Sequence, residues 1–242
     1  MNKKILVSGG DGLLARELLK ANVCFDMTLL SRKEMDVTDP EQIIKQISLH
    51  KPDLFLHCAA QTHPMENHKT NPATSIKNNI IGTSNVAHCC LVEGVKMVYT
   101  STEWVYSNKE NNVEGDTLLP TTNYGWSKLG GECAVQMLPD HLILRCSFTA
   151  RPYKFDRAFT DVRKSYLYVD KAAQFIMKLL EKDCSGVYNI GGKSRTTYEF
   201  AKESNPSVGK IRRKEVGTWI PNKCTMNNKK MMLEVESEFS KR

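Results

Sequence analysis

Two hydrophobic periods take turns along the first 150 residues. The run Ile5-Leu6-Val7 ends at Ser8-Gly9 and predicts a short buried strand over residues 3–8. Leu14, Leu18 and Leu19 then recur at helical spacing, which predicts a helix over 13–21. The exchange repeats. Strands are expected over 27–30, 53–57, 96–100 and 142–144. Helices are expected from Asp39-Pro40-Glu41, over 77–92, and from near Tyr124 to 137. Asp39 is placed as a cap and Pro40 in the first turn, with Ile43, Ile44 and Ile47 as the apolar stripe. Such alternation means βαβ units, so the expected fold class is α/β, with a doubly wound and mainly parallel sheet. Ligands of such sheets bind beyond the carboxyl ends of the strands.

After about residue 150 the pattern loosens. A helix is expected over 172–180, behind Tyr168-Val169-Asp170, and a strand over 187–190, before Gly191-Gly192. Thr196 and Glu199 have the spacing of a capping box. The polar end is expected to be helical near 229–239. This divides the chain into a domain over 1–150 and a small region over 151–242, partly interleaved with the first.

Charge and cysteines narrow the classes. The formal net charge of +7 comes from 34 basic and 27 acidic side chains. Apart from small clusters such as Arg212-Arg213-Lys214, the basic residues are spread out. That suits a solvated surface and an anionic small ligand better than nucleic acid. Eight cysteines without a Cys-x-x-Cys read as small buried residues of a reducing compartment. No apolar run nears the roughly 20 residues of a membrane span. The first strand also runs straight into a motif, so no targeting peptide and a cytoplasmic location are expected. His63 and His68 flank a proline-containing loop without a metal-ligand spacing, and no metal is expected.

Three constellations carry candidate chemistry. Gly9, Gly12 and Ala15 form a G-x-x-G-x-x-A loop between the first strand and helix. Small residues there let the backbone approach a pyrophosphate at the helix N-terminus, although a plain glycine turn has the same composition. At the end of the second strand, Ser31 and Arg32 stand where an NAD site usually has a carboxylate. Arginine there can pair with a 2′-phosphate or simply face solvent. Asp36 and Val37 follow, placed to flank an adenine. The third group is Thr102, at the end of the fourth strand, with Tyr124 and Lys128 downstream. Tyr124 and Lys128 share one helical face, where an ammonium is expected to lower the phenol's pKa from about 10. That would make Tyr124 a general acid/base, with Thr102 bonding the same substrate oxygen.

These segments resemble the extended short-chain dehydrogenase/reductase superfamily, in its dTDP-4-dehydrorhamnose reductase-like branch. The resemblance rests on residues 8–15, Asp36-Val37-Thr38-Asp39-Pro40, Lys51-Pro52-Asp53 with Cys58-Ala59-Ala60, and Asn79-Ile80-Ile81-Gly82-Thr83. It continues through residues 101–106, Tyr124-x-x-x-Lys128, Leu144-Arg145-Cys146-Ser147 and Tyr168-Val169-Asp170. It implies a Rossmann domain over 1–150 and substrate binding over 151–242, with Thr102, Tyr124 and Lys128 as the catalytic group. The implied cofactor site comprises Gly9, Gly12, Leu13, Ser31, Arg32, Asp36, Val37, Ala59, Ala60, Asn79, Tyr124 and Lys128. Bottom-up, Asn79 could equally be a polar residue of a helix face. Thr62, Thr102, Phe148 and Arg157 are the implied substrate contacts; Arg145, Arg151 and Arg157 could add positive charge for a diphosphate, and Arg145 could equally be a structural ion-pair partner.

The implied activity is NADPH-dependent reduction of a 4-keto-6-deoxy nucleotide sugar, of the dTDP- or UDP-4-dehydrorhamnose kind, to the deoxyhexose. NADP(H) is expected before NAD(H), with no nucleic acid or membrane partner, and a homodimer is left open. Two alternatives remain. An epimerase or dehydratase would hold NAD, and a dehydratase would want an acidic pair after Thr102, where Glu103-Trp104 stands. A non-catalytic NADP-binding regulatory subunit would suit the short stretch after the fifth strand. Phe148 stands where the family often has Trp.

Overall fold

The computed structural model describes residues 2–216 and 220–236. Its centre is a sheet of six parallel strands: β1 (Lys4–Ser8), β2 (Asp26–Leu30), β3 (Leu54–His57), β4 (Lys96–Thr102), β5 (His141–Cys146) and β6 (Gly186–Ile190). The spatial order is β6-β5-β4-β3-β1-β2. The winding reverses between β1 and β3, and the crevice at their carboxyl ends is the switch point of the fold.

Both faces of the sheet are covered, which explains why its strands read as continuous apolar runs. Ile5, Val7, Leu54, Leu56, Val98, Leu142 and Leu144 point to one face. They pack against α1 (Leu13–Ala21) and α5 (Val169–Glu181). Leu6, Phe55, Met97, Tyr99 and Ile143 point to the other. Their core is completed from α2 (Pro40–His50), α3 (Gly82–Glu93) and α4 (Asn123–Val135). Asp39 caps α2 as expected, its Oδ1 accepting from the amides of Glu41 at 3.0 Å and Gln42 at 3.4 Å.

The helix expected over 77–92 differs. Ile76–Ile81 is a π-helical turn, and the α-helix proper starts at Gly82. Tertiary packing overrides the helical pattern here. The turn buries Asn78 and Asn79, and at Gly82 a side chain would come within 2.9 Å of Val37 Cγ2.

Past residue 150 the chain divides its work. α5 lies against α1, and β6 closes one edge of the sheet. The remainder forms a cap of short pairings that no hydrophobic period announces. Phe148–Thr149 pairs with Leu167–Tyr168, and Arg157–Phe159 with Gly209–Ile211. Arg163–Lys164 pairs with both Arg195–Thr196 and Lys223–Cys224. The capping box at Thr196 and Glu199 is formed, and it opens α6 (Thr197–Ala201). The last helix, α7, spans Lys229–Glu236. The rest of the expected stretch, residues 237–239, lies outside the described residues. Among those described, no helix is long and apolar enough to cross a membrane.

Candidate active site

The glycine loop leaves β1 at the switch point. Gly9 has φ +72°, and a Cβ there would lie 2.8 Å from the Cα and N of Ala59. Only a residue without a side chain lets the two loops touch. Gly12 caps α1 with no side chain covering the first-turn amides. Those amides and the positive end of the helix form a cradle for an anionic group. Leu13 is exposed beside this loop, and Ala15 is buried under it.

A side-chain network holds the two loops together, and within it His57 and Gln61 were not singled out by the sequence. Ser8 Oγ and His57 Nδ1 are 2.7 Å apart, and His57 Nε2 is 3.1 Å from Thr83 Oγ1. Burial, helped by the nearby Lys128 charge, pushes the His57 pKa down to about 3, so the ring is a neutral link. Asn79 is fully buried. Its Oδ1 accepts from the Gln61 amide at 2.7 Å, while its Nδ2 donates to the Gln61 carbonyl at 3.0 Å and to Ser127 Oγ at 2.9 Å. It fixes the course of the chain just after Ala59 and Ala60. Thr62 is exposed two positions further, with its Oγ1 3.2 Å from His63 Nδ1.

At the end of β2, Arg32 is exposed, and its Nη2 pairs with Asp36 Oδ2 at 3.2 Å. Burial raises the Asp36 pKa, but the hydrogen bonds from Thr38 and the Arg32 charge outweigh it and keep the group below its usual range. A carboxylate also stands at this strand end. Glu34 Oε2 accepts from the Ser31 hydroxyl at 2.6 Å and from its amide at 2.8 Å. The signal for it was the Ser-x-x-Glu spacing. Val37 is buried in the core, and its carbonyl accepts from Asn85 Nδ2 at 3.2 Å.

Thr102, Tyr124 and Lys128 come together at the carboxyl end of β4. Thr102 Oγ1 accepts from the Trp104 amide at 3.4 Å and so caps the turn Glu103–Val105. Thr122 caps α4, which puts Tyr124 in its first turn, with Lys128 one turn on. Gly125 is required there, because a Cβ would collide with the Trp104 carbonyl oxygen.

The electrostatics correct the expectation for Tyr124. Its phenol is pushed up to about 12, not down. Burial is the main cause; a hydrogen bond with Thr102 opposes it, while Cys146 and Glu103 add to it. Lys128 is not among the causes; its ammonium lies over the Tyr99 ring, 4.3 Å from the centroid. Burial pushes Lys128 itself down to about 8, against the pull of Glu132.

The other charges near the site are engaged. Lys164 Nζ lies 3.0 Å from Glu103 Oε1, and both side chains are buried. Arg145 is a structural ion-pair partner. Its Nη2 donates to Glu132 Oε2 at 2.9 Å, and its Nη1 donates to the Tyr106 hydroxyl and the Glu114 carbonyl, each at 2.9 Å. Ser101 donates to the same Glu132 carboxylate. Arg151 pairs with Asp170 at 3.3 Å and stacks over Tyr168. Phe148 is half-buried against the core beside α5, while Arg157 is exposed on the cap, lying across Gly209.

The parallel sheet, the switch-point glycine loop and the Thr-Tyr-Lys group define an α/β protein of the extended short-chain dehydrogenase class. Within it, the chain belongs to the RmlD substrate binding domain family, whose model matches residues 3–156. It is 28% identical over 187 residues to a probable low-salt glycan biosynthesis reductase of Haloferax volcanii, covering 68% of this chain and 62% of that protein. It is 31% identical over 140 residues to a dTDP-4-dehydrorhamnose reductase of Streptomyces griseus, covering 56% of this chain and 46% of the other. The matches thus span less than two thirds of these relatives. The fold is like that of a dTDP-4-dehydrorhamnose reductase from Bacillus anthracis solved in complex with NADP. The TM-score is 0.86, at 23% identity over 100% of both chains. It is also like a UDP-glucose 4-epimerase of Thermus thermophilus in complex with NAD, with TM-score 0.78 at 18% identity over 95% of this chain and 92% of that one. Likeness of fold alone therefore does not separate reduction from epimerisation.

Proposed function

We propose that the protein is a reductase of 4-keto-6-deoxy nucleotide sugars that uses NADP(H) in preference to NAD(H). The observation that carries this reading is the grouping of Thr102, Tyr124 and Lys128 at the carboxyl end of β4, on the same edge of the sheet as the glycine loop. In the proposal, Gly9, Gly12 and Leu13 hold the pyrophosphate, and Ala59 and Ala60 line its far wall. Arg32 and Ser31 face the 2′-phosphate, with Asp36 and Val37 by the adenine. Asn79 shapes the loop. Thr62, Phe148 and Arg157 serve the sugar side, so that residues 1–150 bind the cofactor and 151–242 complete substrate recognition.

When bound, the nicotinamide supplies the hydride that reduces the keto carbon. Tyr124 donates a proton to the oxygen. The high pKa of the buried phenol keeps it protonated and ready to donate at neutral pH. Thr102 hydrogen-bonds the same oxygen. Lys128 holds the nicotinamide ribose with its ammonium, which is present below about pH 8 and lost above it. Reduction should therefore slow as pH rises through about 8, and Lys128→Arg should move that fall to higher pH in a pH-rate profile. A dehydratase would need an acid free to act on the sugar, whereas Glu103 is paired with Lys164.

The test is NADPH oxidation with a dTDP-4-keto-6-deoxy sugar. Tyr124→Phe should lower turnover by about 10²–10⁴-fold while NADPH binding survives. If the unmodified protein binds NADPH yet oxidises none of it with any keto sugar, a non-catalytic binding role takes the place of this reading.

A further inference from the structure

The cap strand Arg163–Lys164 sends one side chain behind the catalytic group. Lys164 Nζ lies 3.0 Å from Glu103 Oε1, with both side chains 2% exposed. Glu103 follows Thr102 directly, in the turn that Thr102 caps. The Lys164 ammonium also stands 4.6 Å from the centre of the Trp104 ring. That ring meets Tyr124 edge-on, with centroids 5.7 Å apart. Cys224, on the neighbouring cap strand, donates its thiol to the Glu103 carbonyl at 3.0 Å. Two strands of the cap thus grip the Glu103–Val105 turn, and this turn bears on Thr102 and Tyr124.

Stability is a weak reason for such a pair. An apolar pair of the same shape usually serves as well, because two charges must be stripped of water. The Arg145–Glu132 pair spends its donors on several partners. Lys164, by contrast, offers its charge to one carboxylate and one ring. We infer that Glu103 and Lys164 are a positioning pair that couples the seating of the cap to the placement of Tyr124, an inference that rests on the reductase reading above. Neither is assigned a proton transfer; both act through the turn and the Trp104 ring.

The pair leaves a signed electrostatic mark. The titratable groups facing Tyr124 are Glu103 from the turn, Cys146 from β5, Tyr99 from β4 and His68 from the helical turn Asn67–Thr70. Glu103 is among those that raise the phenol. Glu103→Gln keeps the buried cation and removes its counter-charge, which should make Tyr124 more acidic. Lys164→Met does the reverse. Loss of packing alone carries no such sign.

The experiment is a ¹⁹F NMR titration of protein labelled with 3-fluorotyrosine, with Tyr124 assigned by the signal lost in Tyr124→Phe. It is paired with NADPH-linked turnover and NADP binding. Glu103→Gln should shift the Tyr124 titration to lower pH and Lys164→Met to higher pH, each by about one unit. The double variant should titrate near the unmodified protein, bind NADP normally, and turn over roughly tenfold more slowly. Absent shifts, or shifts of the same sign, overturn the pair. Should a single variant fail to fold, the double variant decides, because it leaves no buried charge unpaired: unchanged turnover overturns the inference. Signed shifts in a protein that reduces no keto sugar would leave the pair standing and remove the reductase reading.

Discussion

The cofactor side and the cap hold their shapes by different means. Around the glycine loop, regular strand pairing and close backbone approach set the geometry, with a few side chains locking it. Gly9 touches Ala59, β1 pairs with both β2 and β3, and Asn79 clamps Gln61. The cap has strands of two or three residues, stitched by side chains that reach across the chain. Ser165 Oγ, for example, accepts from the Met226 amide at 2.9 Å and donates to the Met226 carbonyl at 3.3 Å. Regular pairing makes the first side a rigid cradle for a common ligand. Long-range stitching makes the second adaptable, since a cap residue can change without breaking a ladder.

Breaking the support shared by both sides should have the largest effect. Arg145→Met leaves the Glu132 carboxylate buried without its partner and should destabilise the fold by about 3–5 kcal/mol. Urea unfolding would measure this, and a change under 1 kcal/mol would mean that the pair is dispensable. Next is Arg32→Ala. It should weaken NADPH binding by about 1.5–3 kcal/mol, roughly tenfold or more, and leave NADH nearly unaffected. Titration with both cofactors tests this, and equal affinities in the unmodified protein would remove the assigned preference. Asp36→Asn sharpens the same point, since freeing Arg32 from its pair should widen the gap in favour of NADPH.

Gly9→Ala should cost about 1–2 kcal/mol from its left-handed backbone alone, with further loss from contact with Ala59. Cofactor binding should weaken together with thermal stability. The smallest effect belongs to the cap. Thr196→Ala removes a helix cap and should cost about 1 kcal/mol while NADPH affinity stays unchanged. A clear loss of NADPH affinity in that variant would show that the two sides are less separate than described.

Much of the cofactor side was legible beforehand. The strand-to-glycine transition at Ser8-Gly9, the Asp39 cap and the Tyr124/Lys128 face are local patterns, and each survives in the structure. Glu34 was legible in principle from its spacing to Ser31. The cap was not, apart from its Thr196 capping box. Its short strands carry too few residues for a period to emerge, and partners such as Arg157–Phe159 and Gly209–Ile211 lie far apart in the chain.

The sequence by itself determined where the six strands of the central sheet and most of their helices fall, where the backbone must turn without a side chain, and which hydroxyl, phenol and amine can share one site. Each depends on interactions between near neighbours, whose spacing is written in the chain. Tertiary structure alone decided the charge states and allegiances of those groups. Tyr124 is raised by burial, Lys128 stacks on Tyr99, and Glu103 is claimed by Lys164. Desolvation and Coulomb interactions depend on distances through space, and those are set only when remote segments pack.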